Sequence, residues 1–155
     1  MSFQILGLPA RPFTPLFDLD AAGLAAIGAR RMTAEAPNSA PCRVSLREAE
    51  PGEELILCNH AYLPTPGTPY RASGPIFVRV GAVETRPERG EAPQVLTSRL
   101  LSARAYDSEG MMSDADVVEG ADLALRLTAW LADPAIDEVH IHSARRGCYL
   151  ARAVR

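Results

Sequence analysis

Short apolar runs, each ended by proline, glycine or a polar turn, follow one another along this chain and limit the lengths of its helices and strands. Most of them have the length and composition of strands. One segment, Ala121–Ala132, instead repeats its apolar residues at helical spacing. A second, shorter helix is expected over Leu19–Ile27, between the capping residue Asp18 and Gly28. The pattern predicts an α+β domain, a mostly antiparallel sheet with two short helices packed on it.

The predicted strands are joined by turns of recognisable chemistry. Ser108–Gly110 is a three-residue hairpin connection with glycine at the left-handed position. The segment Pro64–Pro75 contains four prolines and two glycines and is expected to form a long loop, a type of segment that often carries function. The strands themselves are expected at Phe3–Leu8, Cys42–Leu46, Glu54–Asn59, Pro75–Val80, Leu100–Asp107, Met111–Val118, the histidine-containing run at 139–142, and Tyr149–Val154.

Length and charge exclude several classes of protein. A chain of 155 residues is expected to form a single domain over 1–155, and its 47% hydrophobic content is sufficient for a core. The net charge of −3 argues against a general nucleic-acid binder or a membrane-surface protein. All 16 basic residues are arginine, so no lysine can form a Schiff base. The sequence is silent on homo-oligomer formation.

The sequence also predicts a cytoplasmic location. The three cysteines are odd in number and have no metal-finger or CxxC spacing. The N-terminal residues lack the basic region of a signal peptide, and no apolar stretch approaches the ~18 residues that a membrane helix needs. We therefore expect a soluble protein with no membrane partner.

Two histidines two residues apart are the first candidate site. In a strand, His140 and His142 share one face while Val139 and Ile141 share the other. Two imidazoles on one face can reach the same ion, so a divalent metal with His60 as a third ligand is one interpretation. The other is a hydrogen-bonded pair on a partly exposed sheet face. No other cofactor is predicted. Carboxylates that could complete a metal site are Asp107, Asp114, Asp116 and Glu138.

The turn that follows the histidines could hold an anion. Arg145 and Arg146 precede Gly147, and guanidinium groups bind carboxylate or phosphate in a bidentate manner. Arg71, which lies near Ser73 in the proline-rich loop, could be a third cation. We expect Arg71 and Arg145 to border one shared concavity. The alternative is that these arginines only pair with the acidic residues of segment 107–122.

Cys148 is the third candidate, and the hairpin register decides its role. With a four-residue turn, Ala144–Gly147, Ser143 opposes Cys148 and His142 opposes Tyr149. The thiol then lies on the face away from the histidines. A three-residue turn would place it on the histidine face, where it could be a nucleophile. The four-residue turn is favoured because it groups apolar residues on one side, so Cys148 is expected to be buried and not catalytic.

Several strings along the chain together resemble a bacterial family known as domain of unknown function, family 1203. This family usually carries His-x-His-Asn-Ala-Arg-Pro-Gly-Cys, which is matched here except that Ser143 and Arg146 replace Asn and Pro. The resemblance implies a single-domain bacterial protein and supplies no activity. The strings are Pro41–Leu46, Glu48–Glu54, Pro69–Arg79, Arg104–Asp107, Gly110–Met112, His140–Arg145 and Gly147–Tyr149.

The sequence as a whole favours a domain that binds a small anionic molecule, a phosphate or carboxylate, between the 140–149 hairpin and the 64–75 loop. The first alternative is an enzyme, dependent on a metal at His140 and His142 or on the thiol of Cys148. The second is a structural or partner-binding domain. The expected ligand-binding residues are Tyr70, Arg71, Ser73, His140, His142, Arg145 and Tyr149.

Overall fold

Strands dominate the fold, as the sequence predicts. The computed structural model describes residues 2–155, and this part of the chain contains eight strands in two antiparallel sheets together with three short α-helices. The α+β class is confirmed, with two sheets and three helices in place of one sheet and two helices. The strands are β1 Gln4–Leu6, β2 Arg30–Thr33, β3 Glu54–Leu63, β4 Ala72–Arg79, β5 Leu100–Tyr106, β6 Met112–Glu119, β7 Glu138–Ser143 and β8 Tyr149–Val154. The helices are α1 Ala21–Ala26, α2 Gln94–Thr97 and α3 Leu123–Leu131.

The larger sheet places the histidine strand at its centre. Its strand order is β1-β8-β7-β5-β6, so β7 pairs on both sides. The smaller sheet has the order β2-β3-β4. No helix in residues 2–155 is long and apolar enough to cross a membrane.

Two apolar clusters form the main core. In the first, Leu123 and Leu127 of α3 pack with Val139 and Ile141 of β7. This is the helical face that the spacing of apolar residues predicts. In the second, the smaller sheet packs Ile56 and further side chains against the N-terminal segment and α1. The larger sheet therefore has helices on one face, which leaves its histidine face to be covered by other elements.

Some predicted elements are wrong or displaced. Cys42–Leu46 is not a strand: the Leu46 N–H donates to the Cys42 carbonyl at 3.0 Å and Leu46 has a φ of 51°, which closes a turn. Helix α1 is capped by Asp20 and not by Asp18, since the Gly23 N–H donates to Asp20 Oδ1 at 2.8 Å. All four residues of strand β2 are exposed, so its sequence lacks the alternation of apolar and polar residues that would have predicted a strand.

The proline-rich loop is shorter than predicted. Strand β4 begins at Ala72 and pairs with the end of β3 across an irregularity between His60 and Leu63. Ser73 therefore lies in a strand. Pro75 also lies within β4, where it is tolerated because β4 is at the edge of the smaller sheet. The remaining loop covers 64–71.

Gly120 is the position where the fold most strictly requires the absence of a side chain. A Cβ built there lies 2.3 Å from the Leu96 carbonyl oxygen and 2.5 Å from that of Thr97, both backbone atoms of α2. We expect Gly120→Ala to lower the free energy of unfolding by about 3 kcal/mol, because α2 must move away from the sheet. Chemical denaturation measures this loss.

Gly74→Ala is the matched control. Its Cβ meets only the Tyr62 side chain, at an ordinary 3.4 Å, so the expected loss is below about 1 kcal/mol. Equal losses in the two variants would contradict the close approach of α2 to Gly120.

Candidate functional site

The two strand histidines are fully buried. His140 and His142 each have 0% exposure, while Val139 and Ile141 pack into the helix-side core. The alternation of faces is confirmed, but the expectation of a partly exposed histidine face is wrong. The difference arises because the smaller sheet covers this face, as the contacts of Tyr62 from β3 with both imidazoles demonstrate.

His140 belongs to a chain of three polar side chains. Its Nε2 lies 2.7 Å from Glu138 Oε1, and Arg152 Nη1 donates to Glu138 Oε2 at 2.8 Å. Burial alone would raise the pKa of Glu138, but the hydrogen bonds and charges of His140 and Arg152 outweigh burial and lower it. The carboxylate is therefore an acceptor, and His140 Nε2 carries a hydrogen.

His142 is held in one tautomer by the backbone. Its Nδ1 lies 2.9 Å from the Gly147 carbonyl oxygen, which can only accept, so Nδ1 carries the hydrogen. Burial, with smaller contributions from the charges of Arg104, His140 and Arg43, lowers the pKa of His142 to about 4 against the opposing effect of the bond to Gly147. His142 is neutral at physiological pH.

Three tyrosines surround the histidines. The Tyr62 ring lies edge-on to His142 with centroids 4.9 Å apart and stacks on Tyr149 at 5.5 Å, and the Tyr106 ring lies 4.8 Å from His140. Burial raises the pKa of Tyr149 and of Tyr106. These five side chains are called the histidine layer below: Tyr62, Tyr106, His140, His142 and Tyr149.

Two ring nitrogens in the histidine layer have no hydrogen-bond partner within residues 2–155. They are Nδ1 of His140 and Nε2 of His142, each on the ring position opposite the bond just described. No group of three or more His, Cys, Asp or Glu side chains in the described chain is arranged to hold a metal. His60 packs its ring against Phe13 and Tyr149, and burial lowers its pKa.

A cleft of about 480 Å³ opens beside the hairpin between β7 and β8. One part of its wall is apolar and comes mainly from the smaller sheet, with Leu57 and Phe77 at opposed positions of β3 and β4. The other part is strongly basic. Four arginines line it: Arg43, Arg99, Arg145 and Arg146.

Arg43 is the most unusual of the four because it is buried, with 3% exposure. Its Nε donates to the Tyr149 carbonyl at 2.7 Å and its Nη1 to the Pro41 carbonyl at 2.5 Å. No carboxylate lies within ion-pair distance of it among the described residues. Burial lowers the pKa of Arg43 to about 10, with a contribution from Arg99, so the guanidinium is still charged at neutral pH.

The other arginines differ in how they are held. Arg99 is in ion-pair contact with Glu48, without a well-aligned hydrogen bond, and its Nη1 donates to the Val95 carbonyl at 2.5 Å. Arg145 and Arg146 are exposed on the turn, and neither forms an ion pair in the part of the chain that the structure describes. The cleft therefore presents two cations held by contacts within the chain and two exposed cations without an ion-pair partner in the described residues.

Arg71, Ser73 and Tyr70 do not belong to this cleft. The Tyr70 ring lies 6.3 Å from the ring of Tyr106, and Tyr106 opposes Glu138 at the start of β7. Arg145 follows the other end of β7, where Ser143 opposes Leu101. The two ends are separated by five residues, or about 17 Å of strand. The expectation of one concavity shared by Arg71 and Arg145 is therefore wrong, and the residues proposed from sequence fall into separate groups.

The favoured hairpin register is confirmed at the turn. The Ser143 N–H donates to the Cys148 carbonyl at 2.9 Å, and His142 opposes Tyr149, as a four-residue turn requires. A β-bulge follows, so that His140 opposes Arg152. Cys148 lies on the cleft with Leu150, away from the histidine layer, but it is half-buried and not buried as expected.

Sequence reasoning missed Arg43, Arg99 and the apolar wall. Arg43 carried one signal, because it interrupts an apolar run between Cys42 and Val44, where a charge is unusual. The sequence around Arg99 and Phe77 gives no indication that they line a cleft. Their part in the cleft depends on contacts between elements far apart in the sequence.

Residues 39–155 match the model of a family described as a protein of unknown function (DUF1203). The chain belongs to this family. The match confirms the resemblance noted from the sequence strings. It includes all four arginines of the cleft, Cys148 and the whole histidine layer. No curated protein and no solved structure shows significant similarity to the chain.

The lowered pKa of His142 predicts a specific loss of stability in acid. The unfolded chain binds a proton at His142 below about pH 6.5, while the folded protein resists protonation until about pH 4. Stability from this group is thus complete above pH 6.5 and declines as the pH falls to 4, by on the order of 3 kcal/mol. Denaturant titrations across this pH range measure the decline.

His142→Asn is the comparison because the amide keeps an N–H donor but does not titrate. The wild-type protein should lose more stability than the variant between pH 6.5 and 4. His60 and Glu138 titrate in both proteins, so their contributions cancel when the two pH dependences of stability are compared. Parallel curves would mean that His142 takes up its proton equally well in the folded state.

Proposed function

We propose that this protein binds a small anionic molecule with an apolar portion in the arginine-lined cleft. The observation that carries the proposal is Arg43, a charged guanidinium with 3% exposure and no carboxylate partner among the described residues, in the wall of an open cleft. Burying a cation without a counter-charge is costly unless a ligand supplies the charge. A bound anion would supply it.

The geometry supports the chemistry of such a ligand. Arg43 uses Nε and Nη1 for bonds to backbone carbonyls, and its Nη2 donates to no other described residue. A carboxylate or phosphate could accept from this group and from Arg145 and Arg146, which are free to close over it. Leu57 and Phe77 would contact the apolar part of the ligand. A volume of about 480 Å³ lies in the range typical of small-molecule sites.

The alternative has less support. In it, the turn arginines only pair with acidic residues of segment 107–122. Asp116 of that segment pairs with Arg126 of α3. Arg145 and Arg146 form no such pair in residues 2–155. The charges of Arg145 and Arg146 are thus not neutralised by ion pairs within the described chain. We also propose a bacterial, cytoplasmic setting, with which the three free cysteines agree.

An anion screen tests the proposal. We expect phenyl phosphate to raise the melting temperature and to bind more tightly than inorganic phosphate in isothermal titration calorimetry, because only the former reaches the apolar wall. The Arg145→Gln/Arg146→Gln variant should bind phenyl phosphate at least about tenfold more weakly, since a charged hydrogen bond contributes about 1.5–3 kcal/mol.

Arg71→Gln is the control, as it makes the same type of substitution at one arginine outside the cleft, at the other end of β7. Its affinity should equal that of the wild type. An equal loss in Arg71→Gln, or the same stabilisation by sodium chloride as by phenyl phosphate, would count against a defined site and favour a partner-binding domain.

A metal site in the histidine layer is the second candidate function. The observation in its favour is the pair of buried nitrogens without partners, Nδ1 of His140 and Nε2 of His142, because in the neutral tautomers both present lone pairs. Two histidines alone leave positions of a divalent ion unfilled, so any such metal would need ligands from outside the described donor set. Its affinity should then be low.

Metal analysis after dialysis against zinc or copper tests this candidate. We expect uptake near one ion per chain if the site exists, and loss of uptake in both His140→Ala and His142→Ala. His60→Ala is the control, since its ring faces Phe13 and Tyr149, and it should retain uptake. Metal uptake that persists in either His140→Ala or His142→Ala would contradict a metal site in the histidine layer.

A further inference from the structure

Cys148 differs from the other two cysteines in its surroundings. Cys42 and Cys58 are buried, and the Cys42 sulfur accepts N–H groups of Arg79 at 3.3 Å and Ser45 at 3.5 Å. Cys148 is half-buried and lines the arginine cleft. Within residues 2–155, its sulfur makes only a long polar contact, 3.9 Å from Sγ to the Arg146 carbonyl oxygen. The thiol is thus accessible from the cleft and weakly engaged by the protein.

The cleft brings this thiol together with the arginines of the proposed anion site. The same wall contains Arg43, buried and without a carboxylate partner, and the exposed Arg145 and Arg146. A ligand whose acidic group is held by these arginines would have its remaining atoms beside Sγ. Binding of this kind accelerates a reaction by proximity, without requiring a further catalytic group.

We propose that Cys148 captures small disulfides that carry carboxylates, forming a mixed disulfide inside the cleft. The inference rests on the proposed anion site. The Cys148 thiol loses its proton to solvent, and the thiolate attacks one sulfur of the bound disulfide. A new S–S bond forms at Cys148, the original S–S bond breaks, and the departing thiolate takes up a proton.

The structure also determines how such a modification would be reversed. No second cysteine lines the cleft, so no neighbouring thiol of the described chain can resolve the mixed disulfide. Reduction must come from an external thiol, which attacks the mixed disulfide and releases Cys148. The captured group would fill the cleft in the meantime and exclude other anions. Cys148 would thereby couple occupancy of the anion site to the thiol–disulfide balance around the protein.

The test compares two disulfide reagents that differ in charge. Dithiobis(nitrobenzoate) is an aromatic disulfide with two carboxylates, and dithiodipyridine is an aromatic disulfide without them. We expect one thiol per folded chain to react, and the reaction to be absent in Cys148→Ser. The ratio of the two rates, anionic reagent over neutral reagent, should fall on the order of tenfold in Arg145→Gln/Arg146→Gln. Arg71→Gln should leave the ratio unchanged.

Two results would overturn the inference. One is the absence of any reaction that depends on Cys148 in the folded protein. The other is an equal slowing of both reagents in the arginine variant, which would reflect access and not charge recognition. Circular dichroism checks that the variant is folded, as expected for substitutions on an exposed turn.

The proposed function and this inference fail separately. Calorimetry of the reduced wild-type protein with phenyl phosphate reports on the anion site without any thiol chemistry. If phenyl phosphate binds but labelling shows no charge selectivity, the capture of disulfides by Cys148 is rejected and the anion site is retained. Absence of binding, together with no charge selectivity, rejects both.

Discussion

Two fully buried histidines on the central strand of the larger sheet impose a cover and hydrogen-bond partners on the elements around them. Strand alternation sends Val139 and Ile141 toward the helices, so His140 and His142 must point to the other face of the sheet. An imidazole excluded from water needs hydrogen-bond partners and a covering layer. The smaller sheet supplies the cover through Tyr62, and the chain beside the strand supplies the partners: Glu138 on one side and the Gly147 carbonyl on the other.

The β-bulge in β8 reconciles the requirements of the two faces. Without it, a ladder that begins with Tyr149 opposite His142 would place Arg152 opposite Val139, on the core side. The extra residue moves Arg152 opposite His140, where its guanidinium reaches Glu138, and leaves Ala151 opposite Ile141 within the core. The bulge thus keeps a charge out of the apolar cluster and completes the polar chain of the histidine layer.

Local patterns in the sequence were enough to predict part of this arrangement. The apolar spacing in α3, the alternation in β7 and the four-residue turn follow from interactions within a few residues, and all three are confirmed. The burial of the histidines was not predictable, because it depends on a sheet that contacts them from β3. The bulge was not predictable either, since it follows from contacts of Arg152 with Glu138 and of Ala151 with the core, and not from the turn.

The candidate site illustrates the same limit more sharply. The turn placed Arg145 correctly at a concavity, but Arg71 was grouped with it only because both are arginines on irregular backbone. Arg43 and Arg99, which do line the cleft, reach it through contacts across more than 50 residues of chain, from Arg43 to Tyr149 and from Arg99 to Glu48. Residue type alone could not tell which arginines share a cleft, because long-range packing selects them.

Arg43 connects the two regions physically. Its Nε donates to the carbonyl of Tyr149, whose ring lies edge-on to His142, so a residue that lines the cleft is bonded directly to a member of the histidine layer. The positive charge of Arg43 also helps to lower the pKa of His142, which keeps that imidazole neutral. His142 in its neutral form adds no positive charge next to Arg43. The buried histidines and the cleft arginine are therefore linked through a single residue, Tyr149.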